Sequence, residues 1–343
     1  MSYTILSSEK LRSYGADNET KALFYLMGSR ADSKEIFYFV IDLFNDLTGM
    51  SKHADKLWDL QSKADKNPSP KIIGKELVTL FKNYVSEFGF KYYIIFLGGV
   101  STTLRIDDSL VEFDINNVND AALNKLKDGL KEECKSKTYI DDKDITDDNI
   151  NGFLEKIYFV IVNGDKGEYV KKIIKLSDKL VLKADVLNAI FNEVRDKQDS
   201  KKNIGVVEGK VIDSPDQSLN FGRHLSSNEV RLLALNRILN QNVINSRPPM
   251  AFWEILNTYP EERRKDLLED CQHSLSRALF NVNSQEEFWR LLDNIYSKIN
   301  EYPTDKVDSI YQRIDKCILN DCPDFDILSA KYFISVVKDG IGL

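Results

Sequence analysis

The pattern of apolar and polar residues divides the chain into a first part with strand-like and helix-like segments and a second part with helix-like segments only. Runs of β-branched and aromatic residues predict strands over residues 35–46, 57–64, 91–98 and 157–162, with a short hairpin at 204–212. Apolar residues at helical spacing predict helices over 16–28, 71–88, 120–135, 166–174 and 184–197. This alternation is typical of an α/β domain with a small mixed sheet flanked by helices.

The second part begins at residue 213 and shows helix signals throughout. Ser226 with Glu229, and Ser284 with Glu287, have the spacing of capping boxes, which satisfy free N–H groups at the start of a helix. Further helices are predicted over 251–257, 261–280, 305–319 and 325–337. We therefore predict two domains, 1–212 and 213–343, and the second is an all-α module suited to oligomerisation or to docking a partner.

Residues 35–64 combine strand-like sequence with a concentration of polar side chains. A near-continuous apolar run ends at Asp46, a polar turn follows from Thr48 to Lys56, and a second apolar run carries the strand 57–64. Because successive side chains of a strand point to opposite faces, Asp59, Gln61 and Lys63 share one face. The pattern predicts two strands joined by a polar turn, with an acid, an amide and an amine at one end of the sheet.

This combination of side chains suits metal-dependent cleavage of a phosphodiester. Mg²⁺, or Mn²⁺ in its place, takes oxygen ligands from one or two carboxylates and completes its shell with water and substrate phosphate. The candidate ligands are Asp46, Gln61 and Glu19, which lies in the first turn of the predicted helix 16–28. Lys63 follows Gln61 by two residues, so it emerges on the same face and can orient the attacking water or offset charge on the phosphate.

The sequence leaves part of this assignment open. A tight turn would bring Asp42 opposite Gln61, whereas a wider turn would bring Asp46 there; we favour Asp46 because it ends the apolar run. Asp42 and Asp59 are further candidate ligands. Structural explanations exist for the same residues: an acid in the first turn of a helix is favoured by the helix dipole, and three polar residues on one face can form a solvated sheet edge.

Composition and charge make some classes of protein less plausible but do not identify the function. The net charge of −7 argues against a uniformly basic nucleic-acid binder, although a local basic groove is compatible with it. The four cysteines lack CxxC spacing and fit a reduced, cytoplasmic setting; Cys271 with His273, and Cys317 with Cys322, suggest a zinc site only weakly. No apolar run has the length of a signal peptide core or a membrane span.

The helix with Glu19, the acid Asp46 and the Gln61-x-Lys63 strand together resemble the PD-(D/E)XK restriction-endonuclease-like superfamily. More narrowly, IDLFNDLTG followed by WDLQSKA resembles the double-stranded-DNA nuclease domains of bacterial anti-phage defence effectors, of the CD-NTase-linked and Lamassu types. The resemblance covers roughly residues 10–210, with the motif itself between Glu19 and Lys63. Gln61 stands where many relatives have Glu or Asp, and no proline precedes Asp46.

The resemblance implies a restriction-endonuclease-like fold for the first domain and a Mg²⁺-dependent endonuclease that acts on double-stranded DNA. It further implies a defence effector held inactive until it oligomerises or is released by a partner, such as an SMC-like ATPase or another sensor subunit. Two alternatives remain. One is a catalytically silent adaptor that binds DNA or an ATPase, which the neutral Gln61 and the acidic net charge favour. The other is a structural assembly subunit that acts through its helical half.

Overall fold

The computed structural model of the protein describes residues 2–6, 15–174, 182–202, 204–244 and 247–340. By internal contacts the chain forms two compact units, one of residues 1–165 and 193–227, the other of residues 166–192 and 228–343. Residues 166–192, which the sequence assigns to the first domain, thus group with the C-terminal helices, and residues 213–227 group with the sheet. Whether 1–212 and 213–343 fold as separate domains stays a prediction.

The helices and strands lie on the described part of the chain as follows. The strands are β1 (Tyr3–Thr4), β2 (Ile36–Ile41), β3 (Leu47–Ser51), β4 (Leu57–Lys63), β5 (Tyr92–Leu97), β6 (Glu112–Phe113), β7 (Ile157–Ile161), β8 (Val211–Ile212) and β9 (His224–Ser226). The α-helices are α1 (Ala16–Gly28), α2 (Pro70–Glu76), α3 (Val78–Tyr84), α4 (Asp120–Ser136), α5 (Asp147–Leu154), α6 (Lys166–Ile174), α7 (Ala184–Lys202), α8 (Ser227–Ile238), α9 (Met250–Leu256), α10 (Glu261–Phe280), α11 (Gln285–Glu301), α12 (Val307–Arg313), α13 (Lys316–Asn320) and α14 (Ile327–Gly340). Short 3₁₀ helices lie at Ser33–Glu35, Ile115–Asn117, Asp142–Asp144 and Pro215–Phe221.

The first unit contains a seven-stranded mixed sheet in the order β6-β7-β5-β4-β3-β2-β9. Strands β2, β3 and β4 are antiparallel neighbours, whereas β4, β5 and β7 run parallel. β6 and β9 pair antiparallel at the two edges. The predicted mixed α/β architecture is therefore confirmed. In place of the predicted hairpin at 204–212, β8 pairs with β1 in a separate two-stranded sheet.

The predicted two-strand hairpin is wrong, because a third strand lies within it. β2 ends at Ile41, a turn follows in which Asp42 has φ 49°, and residues predicted as a polar turn form β3. Thr48-Gly49 has the composition of a turn, but Gly49 lies in the sheet, at a position where a side chain would crowd its neighbours. A β-carbon there would lie 3.1 Å from Ile36 Cγ2 and 3.3 Å from Trp58 Cβ.

Most other predicted elements of the first unit are confirmed with small shifts of their ends, α1 among them. The predicted helix 71–88 is instead two short helices, α2 and α3, which meet at Leu77. Residues Gln61 and Ser62, neighbours in β4, contact α3 and α1 respectively. Since neighbouring side chains of a strand point to opposite faces, α1 and α3 cover opposite faces of the sheet.

The second unit consists of packed helices in its described residues. Its centre is α14, whose neighbours are α9, α10, α11 and α12. Aromatic rings fix several of these contacts: Tyr332 meets Phe252 edge to face with centroids 5.1 Å apart, and Phe333 stacks on Phe288 at 5.3 Å. Among the helices of either unit, as far as the structure describes them, none is long and apolar enough to cross a membrane.

α2 and α4 cross at two glycines that allow their backbones to approach closely. A β-carbon added at Gly74 would lie 2.0 Å from the carbonyl oxygen of Leu126, and one added at Gly129 would lie 2.1 Å from that of Lys71. Both oxygens belong to backbone and cannot rotate away. This crossing holds α2, and therefore its last residue Glu76, at a fixed place beside the sheet.

We expect Gly74→Ala to destabilise the protein by about 3 kcal/mol, at the upper end of the usual cost of overpacking, because the new methyl group meets backbone. Urea unfolding followed by circular dichroism measures the change. The matched control is Gly89→Ala, since nothing lies within 4 Å of a β-carbon at that exposed loop position; it should change stability by less than about 0.5 kcal/mol. Equal stabilities of the two variants would contradict the close crossing.

Candidate functional site

The candidate site is at the C-terminal end of β4, where the neighbouring strand β3 begins. In the β3–β4 register Leu47 pairs with Leu60, so Asp46 stands opposite Gln61. One carboxylate oxygen of Asp46, Oδ2, accepts hydrogen bonds from Gln61 Nε2 at 2.8 Å and from the backbone N–H of Ser62 at 2.7 Å. The predicted meeting of acid and amide is therefore observed, although Asp46 precedes a strand rather than ending one.

The structure places Asp42 differently from Asp46. Asp42 lies in the turn after β2, and its carboxylate is 3.5 Å from Arg223 Nη1. The side chain of Gln61 hydrogen-bonds to Asp46 and Thr79, and Asp42 is not among its partners. Of the two acids left open by the sequence, Asp46 is the one that contacts Gln61.

Gln61 is 2% exposed, and both ends of its amide are engaged. Its Oε1 accepts a hydrogen bond from the hydroxyl of Thr79 on α3 at 2.9 Å, while Nε2 donates to Asp46. For Gln61 to offer its oxygen beside Asp46, the amide must turn over. Thr79 permits this, because a hydroxyl can accept a hydrogen bond from Nε2 as readily as it donates one to Oε1.

Lys63 lies on the same face of β4 as Gln61 and ends the strand. Its ammonium is 2.9 Å from a carboxylate oxygen of Glu76, the last residue of α2. The side chains are 19% and 34% exposed, so water reaches the pair. Glu76 has no counterpart in the sequence prediction, because the pairing depends on where α2 ends against the sheet.

Glu19 is held at the same end of β4 by its neighbour in α1. Asn18 Nδ2 donates to Ser62 Oγ at 2.8 Å and to the backbone oxygen of Lys63 at 3.2 Å. Glu19 itself forms an ion pair with Lys202, the last residue of α7, and both side chains are largely covered. Burial lowers the pKa of Lys202, but Glu19, Asp199 and Asp46 together outweigh this effect, so the pKa is raised above its usual value. Lys202 is thus a second cation near the two acids.

Sequence reasoning missed Lys202. The helix was predicted to stop at residue 197, and residues 196–203 resemble a polar boundary segment. In the structure α7 continues to Lys202. The ion pair joins residues 183 positions apart, and no local spacing indicates such a contact.

Asp59 shares the face of Gln61 and Lys63, but it is fully buried and its contacts belong to the core. It accepts hydrogen bonds from Asn83 Nδ2 at 2.7 Å and from the Thr48 hydroxyl at 3.4 Å. Burial raises the pKa of Asp59 and lowers that of Lys82, while the opposite charge of each partner favours its ionised form. Lys82 Nζ donates to the backbone oxygen of Phe44 at 3.4 Å, so Asp59 and Lys82 influence each other through their charges and not through a direct hydrogen bond.

The donors at the end of β4 fit a hard divalent cation. Glu19 and Asp46 would supply carboxylate oxygens, and Gln61 would supply an amide oxygen once its amide turns. Two acids match the number that Mg²⁺ commonly takes from a protein that also binds a phosphate substrate. Among the described residues, no group of three or more His, Cys, Asp or Glu side chains is arranged to hold a metal. The weak zinc candidates near Cys271 and Cys317 therefore form no such group.

Comparison of the chain with protein-family models, with curated proteins and with solved structures finds no match.

We expect Asp59 and Lys82 to be energetically coupled, because each supplies the charge that compensates the other in a buried place. Asp59→Asn and Lys82→Met should each destabilise the protein by about 3 kcal/mol, since each leaves a buried charge unpaired. In the double variant, at least about 1 kcal/mol of the summed loss should be recovered. Urea unfolding of the four proteins measures this cycle, and strictly additive losses would contradict it.

Proposed function

We propose that the protein is a metal-dependent endonuclease that hydrolyses phosphodiester bonds of double-stranded DNA. The observation that carries the proposal is the contact of Asp46, which directly precedes β3, with Gln61 on β4, with Lys63 two residues further along β4. An acid, an amide and an amine at the end of one sheet supply the ligands and the positive charge that phosphodiester hydrolysis requires.

The order of elements around this site also supports the proposal. Helix α1 with Glu19 precedes three antiparallel strands, the third of which carries Gln61 and Lys63; helices α2 and α3 and the parallel strand β5 follow. This is the helix, antiparallel strands and Gln-x-Lys arrangement on which the resemblance to the restriction-endonuclease-like superfamily rests. We therefore propose that fold for residues 1–212, and DNA as the substrate follows from the same resemblance.

The residues have separate roles in the proposed reaction. Glu19, Asp46 and Gln61 would hold Mg²⁺ or Mn²⁺, which when bound polarises the scissile phosphate and lowers the pKa of a water nucleophile. Thr79 holds the amide of Gln61 in place. Lys63, once it leaves Glu76, donates hydrogen bonds to the attacking water or to a phosphate oxygen, where charge develops.

The ion pair between Lys63 and Glu76 supports a resting state. While Glu76 holds the ammonium at 2.9 Å, Lys63 has one of its three donors committed to a partner other than substrate. Rotation of the Glu76 side chain away from Lys63 would release it. We propose that oligomerisation, or release by an ATPase or sensor subunit, produces the active arrangement in an anti-phage defence effector; these partners rest on the sequence resemblance.

A silent adaptor is the second candidate. The specific observation in its favour is that two lysines of the site are ion-paired with glutamates, Lys63 with Glu76 and Lys202 with Glu19. Such an adaptor would bind DNA or an ATPase without cutting. A gel-shift assay that detects DNA binding, together with intact DNA after incubation with Mn²⁺, would favour this function.

The nuclease proposal predicts cleavage of plasmid DNA by the purified full chain with Mg²⁺ or Mn²⁺, assayed in each oligomeric state obtained. Asp46→Asn and Lys63→Ala should each lower the cleavage rate at least about 100-fold, because the first removes a charged metal ligand and the second removes the cation that meets the reacting phosphate. Asn at position 46 keeps an acceptor for the Ser62 N–H, so the fold should be retained.

Lys75→Ala is the matched control for Lys63→Ala. Lys75 also lies on the α2 side of the sheet, but its ammonium pairs with Glu132 at 2.6 Å on the surface. Cleavage by this variant should stay within about twofold of the wild type, because an exposed pair contributes little. DNA left intact under every condition, or cleaved equally well by Lys63→Ala, would rule out the proposed function.

A further inference from the structure

Lys202 reaches the candidate site from far along the chain. Its ammonium forms an ion pair with a carboxylate oxygen of Glu19, and the side chains are 11% and 16% exposed. Exposed ion pairs are weak because water and salt screen them. The pair of Lys202 and Glu19 is largely shielded from both, so each charge strongly influences the other.

Two further contacts fix this end of α7 against α1. Arg195 Nη1 is 3.2 Å from a carboxylate oxygen of Asp17, and the Thr20 hydroxyl donates to Gln198 Oε1 at 3.0 Å in a buried position. Arg195, Gln198 and Lys202 follow one another at three- and four-residue spacing, so they lie on one side of the helix. Lys202 is therefore positioned by the packing of α7 on α1.

The ammonium of Lys202 lies among acids, two of which, Glu19 and Asp46, are proposed ligands of a cation. Glu19 is its ion-pair partner, Asp46 acts on it electrostatically, and Asp199 lies 4.0 Å away. We propose that Lys202 is the internal counter-cation of the site. It neutralises the acids while no metal is bound, and it must withdraw from Glu19 when a divalent cation binds. The inference rests on the proposed function, because it takes Glu19 and Asp46 as the carboxylates of the metal site.

The counter-cation has a regulatory consequence. A divalent ion has to compete with an ammonium that α7 holds in place, so the concentration of metal needed to fill the site is raised. Movement of the end of α7 away from α1 would remove the competitor and increase metal affinity without a change in any ligand. The metal affinity of the site is thereby linked to the position of one helix.

Mn²⁺ binding to the full-length protein, measured by electron paramagnetic resonance of the free ion at fixed ionic strength, tests the inference. Lys202→Gln and Lys202→Met should each bind Mn²⁺ about tenfold more tightly than the wild type, which corresponds to 1.4 kcal/mol. Lys202→Arg keeps the charge and should bind as the wild type does. Lys201→Gln, which removes the same charge one position earlier on the helix, should also leave the affinity unchanged.

Two outcomes would overturn the inference: Mn²⁺ affinity that is unchanged or weaker in both neutral variants at position 202, or absence of Mn²⁺ binding from wild type and variants alike. Circular dichroism checks that each variant is folded. A different result would rule out the nuclease proposal alone. If Lys202→Gln binds Mn²⁺ more tightly but neither the wild type nor any variant cleaves DNA, the role of Lys202 as counter-cation is supported and the proposed nuclease activity is ruled out.

Discussion

The antiparallel register between β3 and β4 determines which side chains meet at the candidate site. Because Leu47 pairs with Leu60, the carboxylate of Asp46 lies opposite Gln61 and accepts hydrogen bonds from that side chain and from the backbone of Ser62. A slip of one residue would turn every side chain of β4 to the other face. Gly49 suits this register, since a β-carbon there would lie 3.1 Å from Ile36 Cγ2 and 3.3 Å from Trp58 Cβ, which is tighter than ordinary van der Waals contact.

In the first unit, some oppositely charged residues are buried and others are accessible to water. This difference in exposure distinguishes residues of the core from residues of the candidate site. Asp59 and Lys82 are buried among the helices and strands, where they compensate each other. Lys63 with Glu76 lies at the end of β4, within reach of water, so its ion pair can open at a small cost. The residue types alone do not distinguish the two cases. Burial does: Asp59 is closed off in the core, whereas Lys63 stays accessible to water and to a ligand.

Local sequence was sufficient to predict α1, the shared face of Gln61 and Lys63 on β4, and the choice of Asp46 over Asp42 as the acid that meets Gln61. These features depend on periodicity and on the order of polar residues along one strand. Local sequence was not sufficient to predict β3. Thr48-Gly49 has turn-like composition, whereas the presence of Gly49 in the sheet reflects close packing against residues of other strands. The role of Lys202 could not be predicted for a related reason. Its contact with Glu19 joins residues 183 positions apart and forms only when α7 packs on α1.

The central claim is that Asp46 and Gln61 form the cation-binding end of the sheet. A crystal of the protein soaked in Mn²⁺ and measured at the manganese absorption edge tests this most directly, because anomalous scattering locates the ion independently of activity. We expect a peak bound by oxygen atoms of Asp46 and Gln61 at roughly 2.1 Å, with the amide of Gln61 turned over. A well-occupied Mn²⁺ elsewhere, with none beside Asp46, would contradict it.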